Sequence, residues 1–346
     1  MKYYNAAKIL TLKDANGNKP GVYFCLGNRT AGKSFAWKLL LIRKFLKTKA
    51  QFICLVRYKD DIENYSKAFF TDIEQIKYPE KKFSYKISGK GLYSELIIDG
   101  VVCGYVLAVN SYGKYKPISS MFVNVEWIMF DEFLDERAQY LKNEVDSVLN
   151  IHTSVARGKG EHARYVPIVF IANTVSVINP YFARLGISSG FNKNTKFRKG
   201  DGWVLEVTYN ENAANAIISD PTTRALGSSA YTSYQAKNEF LLDDNSFVEK
   251  IKGQGEQLCN ITFGEKTVGV WYYPDKGIIS FSNKYDPNFY NSFVFANKDH
   301  DINFVLIDQH SKLIKTWLKY YQLGCVRFDD IENKQIFLDL CGLSMV

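Results

Sequence analysis

The stretch Leu26-Gly27-Asn28-Arg29-Thr30-Ala31-Gly32-Lys33-Ser34 constrains this chain more than any other. Two glycines five residues apart, followed by Lys and Ser, fit the phosphate-loop pattern. Gly27 and Gly32 let the backbone of Asn28, Arg29, Thr30 and Ala31 curl until successive N–H groups point at a polyphosphate. The positive end of the following helix favours the same ligand. Lys33 would reach the β- and γ-phosphates, and the Ser34 hydroxyl would ligate Mg²⁺. The flanks agree. Gly21 to Leu26 reads as a short buried strand, and Phe35, Ala36, Leu39, Leu40, Ile42, Phe45 and Leu46 give an apolar face at helical spacing. Strand, loop and helix arrive in the order a nucleoside triphosphate site requires.

A second stretch, Glu126-Trp127-Ile128-Met129-Phe130-Asp131-Glu132, is an apolar strand ending in two carboxylates. That is the form of a Walker B motif. Asp131 is expected to hold Mg²⁺ with Ser34, and Glu132, on the opposite side of the strand, to orient and polarise an attacking water. A further apolar strand, Val166 to Ala172, ends in Asn173-Thr174, which puts a polar side chain where it could sense the γ-phosphate. The added glutamate favours a class that hydrolyses ATP to do work over kinases and GTPase switches.

Charge narrows the partner. The 346 residues carry 44 Lys+Arg and 36 Asp+Glu, of which 11 and 14 fall after residue 240. The first 240 residues therefore hold 33 basic against 22 acidic groups, an excess suited to a polyanionic substrate. Gln51 to Arg57 reads as a strand running into Arg57-Tyr58-Lys59, and carboxyl ends of strands face the ligand crevice in doubly wound folds. Arg57 and Lys59 are expected there. Lys114 and Lys116, in the polar and aromatic loop from Asn110 to Ser120, are both candidates as well. Arg157-Gly158-Lys159-Gly160 reads as an exposed basic loop following a helix from Asn143 to Val155. Tyr3, Tyr4 and Asn5 could stack on a base. The six cysteines show no Cys-x-x-Cys pair, which suits reduced thiols in a cytosolic protein. No apolar run approaches the ~20 residues that span a bilayer, and Met1-Lys2-Tyr3-Tyr4-Asn5 does not open a signal peptide.

The rest of the pattern predicts an α/β nucleotide-binding domain with a mostly parallel sheet, followed by a small α+β domain. Tyr65 to Ile76 reads as one helix, and Phe83 to Val109 as an inserted hairpin turning at Asp99-Gly100. The glycine, asparagine and lysine mixture from Phe191 onward marks a boundary, so residues 1–197 are expected as the first domain, 198–240 as a linker and 241–346 as the second. In the last part Ser246–Ile251, Leu258–Phe263, Thr267–Tyr273 and Gly277–Ser282 read as a four-stranded meander, with a strand near Asp301–Ile307 and a helix over Ser311–Leu323.

These motifs resemble the genome-packaging (encapsidation) ATPases of small podophages of the phi29 type. The resemblance is carried by Gly27 to Ser34, Val56-Arg57-Tyr58-Lys59, Phe130-Asp131-Glu132-Phe133, the block Asn173 to Phe182, Gly269-Val270-Trp271 and Val326-Arg327-Phe328-Asp329. It implies an additional-strand, catalytic-glutamate (ASCE-type) P-loop ATPase joined to a ribonuclease-H-like domain that has lost its nuclease site and contacts a packaging RNA. It implies a homopentameric ring that uses ATP and Mg²⁺ to translocate double-stranded DNA into a procapsid. The ring would sit in the host cytoplasm, transiently attached to the portal (connector). Arg157 is similar in position to the family's arginine finger, acting on a neighbour's ATP, and Lys59 to a pore-side DNA contact. The rival readings are a helicase or nuclease-coupled terminase, and a non-motor nucleic-acid-binding adaptor.

Overall fold

Two β-sheets, each with its own hydrophobic core, organise the chain in a computed structural model describing residues 4–157, 164–187, 195–227, 246–263, 266–294, 305–307 and 311–341. The first unit takes the residues up to 176 and those from 195 to 227. Its nine strands are β1 (Val22–Gly27), β2 (Gln51–Val56), β3 (Phe83–Ser88), β4 (Tyr93–Ile98), β5 (Val101–Ala108), β6 (Val125–Asp131), β7 (Ile168–Asn173), β8 (Phe197–Gly200) and β9 (Trp203–Thr208). They lie in the order β3-β4-β5-β2-β6-β7-β1-β9-β8, and the six from β5 to β9 in that order run parallel. β7 sits between the phosphate-loop strand β1 and the Walker B strand β6, which is the additional strand of an ASCE-type P-loop fold. The central strands are almost wholly buried and read as continuous apolar runs, as covered parallel sheets require.

Helix α1 (Ala6–Ile9) precedes β1, and helix α2 (Lys33–Thr48) follows it. The buried face of α2 is Lys33, Trp37, Leu39, Leu41, Ile42 and Phe45, a rotation from the expected stripe. Phe35, Ala36, Leu40 and Leu46 are partly buried and pack against the same core from its rim. The expected single helix over 65–76 is two, α3 (Asp61–Phe69) and α4 (Thr71–Lys77), because Phe69 and Phe70 both bury and the chain turns to seat them. The segment 83–109 is not an insertion. Its third strand, β5, is the most apolar of the three and pairs parallel with β2, so the turn at Asp99-Gly100 joins two members of the main sheet. Helix α5 (Glu144–Val155) then crosses from Walker B strand to β7.

The expected boundary at 197 is also corrected. Phe197 to Thr208 supplies β8 and β9, and β9 is the parallel neighbour of β1 with Trp203, Val204 and Leu205 buried. Composition misled here because Phe197 to Thr208, polar on its approach, pairs into the main sheet. Helices α7 (Glu211–Ser219) and α8 (Pro221–Leu226) follow; residues 228–240 of the expected linker lie outside the described residues.

The second unit takes residues 177–187 and the described residues from 246 onward. Asn179 caps the short helix α6 (Pro180–Arg184) by accepting from the Tyr181 and Phe182 amides. The sheet holds β10 (Glu256–Phe263), β11 (Lys266–Tyr273), β12 (Ile278–Ser282), β13 (Ser292–Val294), β14 (Val305–Leu306) and β15 (Val326–Phe328), ordered β14-β13-β10-β11-β12-β15. An antiparallel meander flanked by parallel β13 and β14 on the β10 side is a ribonuclease-H-like arrangement. The expected first strand of a four-stranded meander, 246–251, contributes only a single bridge from Val248 to Phe328. Helices α9 (Lys312–Gln322) and α10 (Ile331–Leu340) bury Ile314, Trp317, Ile336, Phe337 and Leu340 in this core.

Candidate nucleotide site and its relatives

The site assembles at the carboxyl ends of β1, β6 and β7. The two glycines of the loop do different work. Gly32 has φ 83° and caps α2 from the left-handed region, which a glycine enters without steric cost. Gly27 has no such conformation; a Cβ there would stand 2.4 Å from Thr208 Oγ1 and 2.6 Å from its carbonyl. Its smallness lets β9 approach the loop. Thr30, at φ 59°, completes the curl. Asn28 is fully buried and exchanges two hydrogen bonds of 3.0 Å with Asn210, giving its Nδ2 to the carbonyl and taking the amide on Oδ1. No spacing rule would have found that pair, 182 residues apart.

Lys33 is 5% exposed and donates to the Gly27 carbonyl at 3.0 Å, the Asn28 carbonyl at 2.9 Å and Asn173 Oδ1 at 3.3 Å. Burial pushes its ammonium down to about 8, against the pull of Asp131 and Cys25. Across the loop, Ser34 donates to Asp131 Oδ1 at 2.9 Å. Burial raises Asp131 above the usual carboxylate range, opposed first by Lys38 and then by the Ser34 hydrogen bond and Lys33. Lys38 stands one helical turn beyond Ser34, the spacing that puts both on one side of α2.

Glu132 follows in the left-handed region, φ 57°, which turns its side chain out of the strand's alternation. Burial and then Asp131 raise its pKa, with Arg29 opposing. A cavity of about 240 Å³ is lined by Arg29 to Phe35, Asp131, Glu132 and Ile171 to Asn173. Next to it, on the other side of the loop, Tyr4, Asn5, Lys8, Ala31, Glu206 and residues 208–212 line one of about 390 Å³. The expected aromatic N-terminus thus reaches the site: the Tyr4 amide donates to the Ala31 carbonyl and its hydroxyl to Glu206 at 3.0 Å, while Tyr3 lies outside the described residues. A further cavity, about 460 Å³ between α1 and α2, has an apolar floor and none of the carboxylate or loop donors of this chemistry.

Two expected residues are placed as follows. Arg57 borders a cavity of about 260 Å³ together with Arg29, Glu132 and Asn173, next to the site. Its Nε and Nη2 grip Glu144 at 2.8 and 3.0 Å, Nη2 also meets the Phe133 carbonyl at 2.7 Å, and the guanidinium lies over Phe130 and Tyr140. Both side chains of the pair are buried, so Arg57 ties β2 to the Walker B loop and α5 beside the site. Arg157 is exposed just beyond α5. Its carbonyl accepts from Arg164, whose guanidinium also holds the Phe122, Val123 and Val125 carbonyls at the amino end of β6. Six residues of strand, about 20 Å, separate Val125 from Asp131. The fold does not bring Arg157 to its own chain's site, and 158–160 lie outside the described residues. Lys59, Lys114 and Lys116 line the same carboxyl edge as the site, beyond β2 and β5.

With that geometry in view, the family model of the podovirus DNA encapsidation protein (Gp16) matches residues 1–344. The chain belongs to this family. Among curated relatives, the DNA packaging protein of Bacillus phage phi29 is 27% identical over 342 residues, covering 98% of this chain and 96% of the relative. That of Bacillus phage B103 is 28% identical over 311 residues, covering 89% and 92%. Among solved structures, the bacteriophage phi-29 viral genome packaging motor assembly holds a chain superposing with a TM-score of 0.71 at 24% identity, each chain 98% covered, so the encapsidation fold is shared end to end.

Proposed function

We propose that this DNA packaging protein is an ATP-driven translocase of double-stranded DNA whose active sites lie between subunits of a ring. Ser34 and Asp131 form a pair of hard oxygen donors suited to Mg²⁺, which would offset charge on the β- and γ-phosphates. Lys33 would exchange its two loop carbonyls for phosphate oxygens while Asn173 keeps hold of it. Glu132, turned outward beside Asp131, takes the proton of the attacking water. The cavity beside Tyr4 and Asn210 accommodates the nucleoside.

The separation of Arg157 from its own chain's site carries the ring reading. An exposed cation at the amino end of β6 can stabilise transition-state charge only in an adjacent subunit. A pentameric ring, attachment to a portal and a packaging RNA bound by a nuclease-dead second unit fit the same picture. The test measures ATP hydrolysis with and without duplex DNA while Arg157→Ala protein is titrated into wild type. Activity stimulated by DNA and falling faster than the mutant fraction supports shared sites; a proportional fall sinks the trans assignment.

A further inference from the structure

We infer that Lys90, at the tip of the β3–β4 hairpin, contacts the phosphate backbone of duplex DNA as part of one rigid platform with Lys59 and Lys114. The inference rests on the translocase reading above and adds a contact that no sequence motif marks.

Three loops leave the sheet at its carboxyl edge: residues 57–59 after β2, 89–92 between β3 and β4, and 109–115 after β5. They are locked to one another. The Asn110 amide donates to the Arg57 carbonyl at 3.1 Å. The fully buried Tyr115 hydroxyl accepts from the Ala108 amide at 2.8 Å and reaches the Leu92 carbonyl at 3.2 Å. Lys59 Nζ donates to the Lys90 carbonyl at 3.2 Å, with its stem against Gly91. On this platform Lys90, Lys114, Tyr58 and Tyr112 are exposed. Among the described residues none of Lys59, Lys90 and Lys114 is held in an ion pair.

The tip itself is unusual. Gly89, Lys90 and Gly91 take φ of 59°, 55° and 79° in succession. A side chain in the middle of such a run is disfavoured, and an exposed lysine has no packing to offset it. An ordinary solubilising lysine could stand anywhere on the hairpin; this one occupies a position that suits glycine and is braced by the side chain of a second lysine. Two or three ammonium groups fixed on locked backbone, with adjacent tyrosines, suit a regular array of phosphates and carry no sequence preference.

The experiment follows binding of the full chain to duplex DNA by fluorescence anisotropy over a salt series, with a non-hydrolysable ATP analogue present. Lys90→Gly removes the charge and relieves the backbone together. It should lower the slope of log affinity against log salt by about 0.9, the increment for one phosphate contact, with the melting temperature no lower and DNA-free ATP hydrolysis unchanged. Lys82→Ala, removing the same charge about 20 Å away at the other end of β3, should leave the slope alone. Equal slopes for Lys90→Gly and wild type, or an equal loss in Lys82→Ala, overturn the contact while the translocase reading stands. A wild type that binds no duplex overturns both, and one that loses duplex RNA but not duplex DNA on Lys90→Gly overturns the choice of partner.

Discussion

In the nine-stranded unit, polar side chains converge on open space: the buried Lys33 and the half-buried Ser34, Asp131 and Asn173 all border one cavity. In the six-stranded unit they are consumed one by one. Asp330 caps α10 through the Asn333 amide at 2.9 Å, accepts from Asn283 at 2.7 Å and faces Lys266 at 3.6 Å. Asn260 gives its amide to the Asp286 carbonyl and accepts from Gln257, both at 2.7 Å. Lys334, 3% exposed, gives its ammonium to Ser246. Burying a polar group is costly unless it is bonded, and the groups named here are bonded in both units, but those of the first have partners that a ligand could replace. A lysine held by two loop carbonyls is poised for exchange; an aspartate at a helix cap is not.

Glu132→Gln should break the first half of this contrast most severely. ATP turnover should fall by about 10²–10⁴, the contribution of a positioned general base, while nucleotide affinity measured by calorimetry is retained. Retained turnover would move the base elsewhere. Glu144→Ala comes next. It strands the Arg57 guanidinium in the fold, so chemical denaturation should show a loss of about 3–5 kcal/mol. Unchanged stability with weakened DNA binding would return Arg57 to the polyanion surface. The smallest effect sharpens the second half: Asp330→Ala should cost about 1–2 kcal/mol through the lost cap and pair, with ATP hydrolysis per folded molecule unaltered. A loss of turnover without loss of stability would give the second unit a chemical role.

Much of the site was legible in the chain. Gly27 to Ser34 and Phe130 to Glu132 are contiguous patterns whose geometry follows from strand, turn and helix, and the fold brings Ser34 and Asp131 to 2.9 Å. Asn173, read from an apolar strand ending in an amide, meets Lys33. The failures share a cause. The helix over 65–76, the inserted hairpin and the boundary at 197 were judged from local composition, and each was settled by packing against a distant strand or core.

The sequence by itself determined that a phosphate loop, a Walker B carboxylate pair and a sensor amide exist, because each needs only neighbours along the chain. Tertiary structure alone decided what surrounds them. Gly27 is glycine on account of Thr208, Asn28 is held by Asn210, Arg57 is claimed by Glu144, and Arg157 ends at the edge of the sheet away from its own site. Those facts depend on which strands lie side by side, and strand order is set by burying apolar faces across the whole sheet, which no local spacing records.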